Sequence, residues 1–351
     1  MKTIELETPD QTSVRFQITG AEAVIQSLKA EGVKTIFGYP GGAIMPIYDA
    51  LFDHLEEINH VLSRHEQGAI HAAQGYARTS GKTGVVFATS GPGATNLITG
   101  LADALIDSTP LVCITGQVAS HLLGTDAFQE TDVMGISMPV TKWNCQVTKA
   151  ADIAPALAKA FYIASSGRPG PVLVDITKDA QFEKLDFSYE KCTAVRSFQP
   201  KPKLNADQLQ AASKLLNEAK KPLMIVGQGI MLSNAEEELL VFAEKTGFPV
   251  ASTLLGLGAF PANHPQFVGM VGMHGNYAPN VKSNECDVLL AVGMRFDDRV
   301  TGDVSRYAKQ AKVVHIDIDA AEINKIIKAD VPVLADAKEA LAFLTDWVEK
   351  Q

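Results

Sequence analysis

Short apolar runs alternate with longer stretches in which apolar residues recur at helical spacing, and this alternation persists along the chain. Thr35-Ile36-Phe37, Ile58 to Leu62, Gly84 to Ala88, Pro110 to Gly116 and Val172 to Ile176 read as buried strands. Between them the spacing predicts helices over 19–31, 45–55, 69–77, 94–105 and 152–166. Thr19 stands at the N-cap of the first, with Glu22 in the capping-box position, and Gly32 ends it. Residues 117–140 break the rhythm with a polar loop that carries one aromatic residue, Phe128. Loops of this length usually carry function or are disordered.

From Glu183 to Lys203 charge rises, Pro200 and Pro202 appear and periodicity is lost, which reads as a linker over 184–203. The alternation then resumes. Helices are predicted over 206–219 and 234–246, followed by a last one ending near Glu349. Strands are predicted at Pro222 to Gly227, Pro249 to Ala251, Val288 to Gly293, Val313 to Asp319 and Val331 to Leu334. Strands alternating with helices imply βαβ units. The fold class is therefore α/β, with two doubly wound parallel-sheet domains, residues 14–183 and 204–351.

The 351 residues suit two or three domains at about 100–200 residues each. A net charge of −9 without a basic block argues against nucleic acid as partner. No apolar run reaches the roughly 20 residues of a membrane span. The acidic N-terminus, Met1 to Asp10, has no apolar core and reads as neither secretion signal nor transit peptide. Cys113, Cys145, Cys192 and Cys286 form no CxxC pair, so neither metal nor disulfide is expected, and a cytoplasmic location fits.

The candidate chemistry gathers at strand ends. Arg64-His65-Glu66-Gln67-Gly68-Ala69 places a carboxylate at a strand-to-helix junction. Glu66 could serve there as a ligand contact, or simply as negative charge in the first turn of a helix. His65-Glu66 with His71 is not the zinc helix signature, because residue 69 is Ala. Gly75 to Thr83 is not a phosphate-binding P-loop: its glycines are one residue too far apart, and it connects helix to strand. Two glycine turns, Gly38-Tyr39-Pro40-Gly41-Gly42 and Ser90-Gly91-Pro92-Gly93, follow strands and open helices. Ligand sites of parallel sheets lie at such carboxyl ends. In the second half, Gly227-Gln228-Gly229 lacks the third glycine of a dinucleotide fingerprint, since residue 232 is Leu. Asp317 and Asp319 close a strand, where they could meet a ribose or remain solvated. Arg295 could bind a phosphate or carboxylate, or belong to a surface ion-pair cluster.

Together these stretches resemble the catalytic subunit of acetohydroxyacid (acetolactate) synthase, a thiamine diphosphate enzyme. The matching segments are Phe37 to Ala43, Arg64 to Ala69, Ala88 to Asn96, Gly124 to Glu130, Gly167 to Val172 and Arg295 to Gly302. The resemblance implies a pyrimidine-binding domain followed by a central FAD-binding, Rossmann-like domain. It implies decarboxylation of pyruvate and carboligation to a second 2-keto acid, either pyruvate or 2-ketobutyrate. Glu66 would hydrogen-bond the cofactor's aminopyrimidine, Gly41 would lie near the reacting carbons, and Phe128 and Gln129 would line the substrate channel. Arg295 would select the second keto acid, with Met273 packing near it. FAD would be held by Arg168, Gly227, Gly229, Thr253, Leu254, Met273, His274, Arg295, Asp317, Asp319 and Asp336. A homo-oligomer with a regulatory small subunit is the implied assembly.

The family's third domain binds Mg²⁺ and the cofactor diphosphate through a Gly-Asp-Gly segment. Gly302-Asp303-Val304 is the nearest approach to it here. The expectation is therefore a fragment, carrying half of the cofactor site and inactive alone, whose Mg²⁺ would be bound through the absent domain. The alternatives are a flavin-containing pyruvate oxidase-like enzyme, against which Arg295 and the Phe128-Gln129 loop argue, or a non-catalytic FAD-binding module.

Overall fold

In the computed structural model, residues 17–350 are described. The acidic stretch Met1 to Asp10 and the first expected domain residues, 14–16, lie outside them. The chain divides into two compact units, with the boundary between Phe198 and Gln199. No helix among the described residues is long and apolar enough to cross a membrane.

Unit 1 runs β1 (Gln17–Thr19), α1 (Gly20–Ala30), β2 (Thr35–Gly38), α2 (Met45–Phe52), β3 (Asn59–Leu62), α3 (Glu66–Ser80), β4 (Gly84–Ala88), α4 (Pro92–Thr95), α5 (Ile98–Ile106), β5 (Leu111–Gln117), α6 (Val133–Ser137), β6 (Trp143–Val147), α7 (Ile153–Ser165), β7 (Pro171–Thr177), α8 (Lys178–Phe182) and β8 (Lys184–Asp186). Six of its strands form one parallel sheet in the order β3-β2-β4-β5-β7-β6. Its inner strands β2, β4, β5 and β7 are buried on both faces, and the period of two divides their apolar residues between two cores. Val85, Phe87, Val112, Ile114, Val172 and Val174 pack beneath α1, α2 and α7. Val86, Ala88, Leu111, Cys113 and Leu173 pack beneath α3 and α5.

Unit 2 runs α9 (Ala206–Glu218), β9 (Pro222–Val226), α10 (Gly229–Leu232), α11 (Glu236–Thr246), β10 (Val250–Ser252), β11 (Phe267–Met270), α12 (Tyr277–Ser283), β12 (Val288–Val292), α13 (Asp298–Thr301), β13 (Lys312–Asp317), β14 (Val331–Leu334) and α14 (Ala337–Trp347). Its parallel sheet has the order β11-β10-β9-β12-β13-β14. The same alternation sends Met224, Val226, Leu290 and Val292 to the face covered by α9, α11 and α14, and Leu223, Ile225, Leu289 and Ala291 to the other.

Two doubly wound α/β domains are thus observed, with local differences from expectation. Thr19 caps α1, its hydroxyl accepting the Glu22 N–H at 3.2 Å. The helix predicted over 94–105 is broken into α4 and α5, with Asn96 capping the end of α4. Four strands had no clear signal: β6, an edge strand with mostly half-buried residues; β11; and β1 and β8, which pair antiparallel with each other. Residues 184–198, expected in the linker, pack on unit 1 instead, because Leu185, Phe187, Val195 and Phe198 each find apolar contact on its core.

Where loop 118–132 and α6 cover the sheet of unit 1, its face turns polar. Cross-strand neighbours Thr115 and Gln146 flank Asp175, a fully buried carboxylate. Its Oδ1 accepts the Thr115 hydroxyl at 2.6 Å, and its Oδ2 accepts the amides of Gln117 and Gln146 at 3.1 and 3.0 Å. Burial, opposed by these bonds, pushes its pKa up from 3.8 to about 6. A raised folded-state value favours the protonated acid in the fold. Its contribution to stability is therefore complete below about pH 4 and is lost as pH rises through about 6. Asp175→Asn cannot ionise. We expect it to gain on wild type between pH 4 and 7, by at most a few kcal/mol, when both are unfolded in urea across that range. A stability difference independent of pH would contradict the assignment.

Candidate functional site

All six strands of unit 1's main sheet run the same way, so their carboxyl ends share one edge. At this edge the connections after β3, β2, β4 and β5, four successive neighbours in the sheet, come together. Ser63, after β3, ties back to Gly38 at the end of β2 through its N–H (3.0 Å) and its hydroxyl (3.2 Å). Tyr39 N–H donates to the Phe87 carbonyl at 3.3 Å. The turn after β2 is anchored by the Thr89 hydroxyl, which accepts the Ala43 N–H at 3.2 Å, and by the Gln181 amide, which donates to the Ala43 carbonyl at 2.9 Å. Gly41 packs directly on Thr89; a Cβ there would stand 2.5 Å from the threonine Cβ.

Glu66 is the first residue of α3. His65 before it is extended, and its Nδ1 accepts the Gln67 N–H at 3.1 Å, which relieves one unpaired helix N–H. The Glu66 side chain turns inward and is buried to 7% exposure. Its Oε2 accepts the Asn96 amide at 2.9 Å, the contact that coincides with the break between α4 and α5. Its Oε1 makes no hydrogen bond and lies against Gly93, where a Cβ would approach to 3.2 Å. A buried carboxylate oxygen beside a bare Cα can receive a donor from a flat ligand. The charge also reaches Tyr48. Burial first, and Glu66 second, raise that phenol's pKa, and its oxygen is buried without a partner.

The loop after β5 reaches the same edge. Glu130 organises it, accepting the N–H groups of Gly124, Thr125 (3.2 Å) and Ala127 (3.1 Å); the bond from Gly124 contributes most to holding its carboxyl below the usual range. Gln129 takes a positive φ of 59°, which directs its carbonyl onto Gly91. Phe128, 87% exposed, stands at the tip. The structure therefore brings Gly41, Glu66 and Gln129 to one edge through Thr89, Gly91 and Gly93. Sequence reasoning gave no role to Thr89, Asn96 or Tyr48. Their only signal was polarity inside otherwise apolar or small-residue runs.

The residues expected in the second domain also collect at one edge, the carboxyl edge of unit 2's sheet. Gly227 and Gly229 follow β9, Thr253 and Leu254 follow β10, Met273 and His274 follow β11, Arg295 follows β12, Asp317 ends β13 with Asp319 just beyond it, and Asp336 follows β14. Several are already engaged. The N–H groups of Gly227 and Gly229 donate to Val292 and Gly293 at 3.0 Å each, so this turn joins β9 to β12 rather than offering its amides outward. Asp336 caps α14 and lies 3.6 Å from Lys201. Asp317 accepts the Asp319 N–H at 2.8 Å. Arg295 lies 3.5 Å from Asp297. Met273 meets Arg299 instead of Arg295, through its N–H (2.8 Å) and its sulfur (3.5 Å). Leu254, Met273 and Tyr277 are exposed apolar side chains, and Thr253 and His274 supply polar groups beside them. A flat aromatic ligand could cover such a surface. Arg168 is placed differently: it precedes β7 at the amino edge of unit 1's sheet, donating to the Ser108 hydroxyl (2.8 Å) and the Ile106 carbonyl (3.3 Å).

Residues 18–136 match the family model "Thiamine pyrophosphate enzyme, N-terminal TPP binding domain", and residues 209–344 match "Thiamine pyrophosphate enzyme, central domain". The chain is 53% identical over 330 residues to the acetolactate synthase large subunit of Corynebacterium glutamicum, covering 94% of this chain and 53% of that protein. It is 51% identical over 325 residues to the probable acetolactate synthase large subunit of Methanocaldococcus jannaschii (92% and 55%). It is 48% identical over 336 residues to the acetolactate synthase large subunit of Buchnera aphidicola (95% and 59%). The chain spans about half the length of the curated relatives it matches.

Gly91 makes the geometry testable. Its φ of +53° with ψ of −114° is closed to L side chains, and a Cβ would come within 2.5 Å of the Gln129 carbonyl. We expect Gly91→Ala to cost about 1–3 kcal/mol in urea unfolding. Gly75→Ala, in open space within α3, should stabilise by about 0.5–1 kcal/mol. Equal effects at the two sites would show that the close approach carries no cost.

Proposed function

Because the chain belongs to the thiamine pyrophosphate enzyme family and carries its N-terminal and central domains, we propose that it serves acetolactate synthesis. In this reaction pyruvate is decarboxylated and its two-carbon unit is joined to a second 2-keto acid, the first common step of branched-chain amino-acid biosynthesis. The observation that carries this reading is the buried Glu66 carboxylate, with Oε2 held by Asn96 and Oε1 left open beside Gly93. That oxygen suits a nitrogen of an aminopyrimidine. Thiamine diphosphate, when bound, supplies the electron sink that decarboxylation of a 2-keto acid requires.

The chain's own residues then have separable tasks. Glu66 holds the proton exchanged with the pyrimidine N1′. Burial and the Asn96 amide fix its side chain, so little reorganisation is required. The Gly41 turn, locked by Thr89 and Gln181, brings backbone close to the reacting carbons. Phe128 and Gln129 line the approach of the 2-keto acid. On unit 2, Arg295 carries a guanidinium of the kind that binds a keto-acid carboxylate, with Asp297 3.5 Å away.

We extend the reading to FAD on the carboxyl edge of unit 2. The exposed Leu254, Met273 and Tyr277 support it, with Thr253, His274, Asp317 and Asp319 as its polar contacts. Gly227 and Gly229 contribute close packing there, and Asp336 acts through the helix it caps. For Arg168, the polar contacts to Ser108 and Ile106 favour a packing role at its own edge. Mg²⁺ receives no ligand set from residues 17–350, among which no group of three metal-ligating side chains assembles. The names of the relatives, each a large subunit, support a smaller partner subunit, and a homo-oligomer in the cytoplasm belongs to the same proposal.

Glu66→Gln tests the reading. It preserves size and one hydrogen bond while removing the ionisable group. In the full-length enzyme, with thiamine diphosphate, Mg²⁺ and FAD bound, deuterium exchange at the thiazolium C2, followed by NMR, should slow by about 10²–10⁴-fold. Flavin content should not change. If Glu66 only opens a helix, exchange will proceed at the wild-type rate.

A further inference from the structure

We propose that Asp175 is a positioning residue for the site, holding loop 118–132 through Gln117 so that Phe128 and Gln129 are presented at the Gly91 turn. The significance of those two side chains rests on the function proposed above; the clasp itself rests on geometry alone. The beginning of the loop is tied to the start of α8, and its end is tied to Gln117 on β5, which in turn bonds Asp175 on β7. Near the loop's beginning, the Ser120 N–H donates to Asp179 Oδ1 at 3.0 Å and its hydroxyl to Oδ2. Near its end, the Thr131 carbonyl accepts the Gln117 amide at 3.1 Å.

Gln117 can reach Thr131 only if its amide group is oriented. Its Nε2 is shared with Asp175 Oδ2 at 3.1 Å, and its Oε1 accepts the Val118 N–H at 2.9 Å. Asp175 in turn is held by Thr115 and Gln146. Next to this network on β6, Asn144 donates to the Met134 carbonyl and the Ser137 hydroxyl, both at 2.8 Å, fixing α6 immediately after the loop. The arrangement is directional. The carboxylate accepts three donors, all from the two strands beside it, and the chain of bonds leaves the sheet at Thr131, two residues from Gln129. A buried carboxylate without a cation is costly, and an apolar side chain would cover the same area at lower cost. Its presence at the base of this loop, in a strand otherwise apolar, is accounted for by the orientation it imposes on Gln117.

The Asn variant separates this role from bulk packing. Its carbonyl can accept both glutamine amides, and its NH₂ can donate to the Thr115 hydroxyl, which then rotates to accept. Hydrogen exchange by mass spectrometry on the full chain reads the loop directly. Asp175→Ala and Gln117→Leu should each accelerate exchange in residues 122–132 by roughly ten- to a hundredfold, while peptides from α1 and α7 change little. Asp175→Asn should keep loop exchange within about threefold of wild type. If Asp175→Ala fails to fold, Gln117→Leu, which leaves Asp175 with two donors, still decides. Unchanged loop exchange in Gln117→Leu, or acceleration shared evenly by all of unit 1, would overturn the proposal. The measurement needs neither cofactor nor keto acid, so its failure leaves the Glu66 reading standing, and the reverse also holds.

Discussion

Parallel pairing is the constraint from which the rest of this structure follows. A parallel strand cannot return through a tight hairpin, so each must be followed by a crossover that lies across a face of the sheet. Both faces are thereby buried, which is why Leu223 and Met224, adjacent in sequence, belong to different cores. All carboxyl ends also fall on one edge. Residues as distant in sequence as Gly41, Glu66, Gly91 and Gln129 reach one edge because the strands before them pair side by side. In unit 2 the same rule aligns connections from Gly227 to Asp336.

At the edge of unit 1, small residues set the distances. Gly41 allows its turn to rest on Thr89, Gly93 leaves Glu66 Oε1 uncovered, and Gly91 allows the Gln129 carbonyl to approach. A helix N-terminus favours the negative charge of Glu66, but the dipole alone would be served equally by a solvated side chain. The inward turn, the Asn96 bond and the broken helix α4–α5 are further features that the dipole does not account for.

Beneath the loop the sheet gives up apolar contacts for a satisfied polar network. Leu111 and Cys113 on β5 are followed on the same face by Thr115 and Gln117, and Leu173 on β7 by Asp175. The exchange is affordable only because each buried donor has an acceptor. Apolar packing lacks direction, whereas these bonds fix where the chain leaves the sheet. The polar end of the strands and the carboxyl edge that carries Gly41, Glu66 and Gln129 therefore coincide.

Much of the fold was legible in the sequence because it depends on local periodicity. The apolar strands, the Thr19 cap and the glycine turns are near-neighbour effects, and they read correctly as α/β units. The acid at residue 66 was also visible, since its flanking glycines and alanines set it apart. What could not be read depends on contacts between distant segments. The Asn96 break coincides with a bond to a carboxylate thirty residues earlier. Strand β6 gains its place from the partner β7, and residues 184–198 gain theirs from a core formed mainly upstream. The Gly227 and Gly229 amides were candidates for a ligand until β12 was seen to take them. Asp175 showed only as one acid in an apolar strand; its three donors come from β5 and β6, and only the folded sheet brings them within hydrogen-bonding distance.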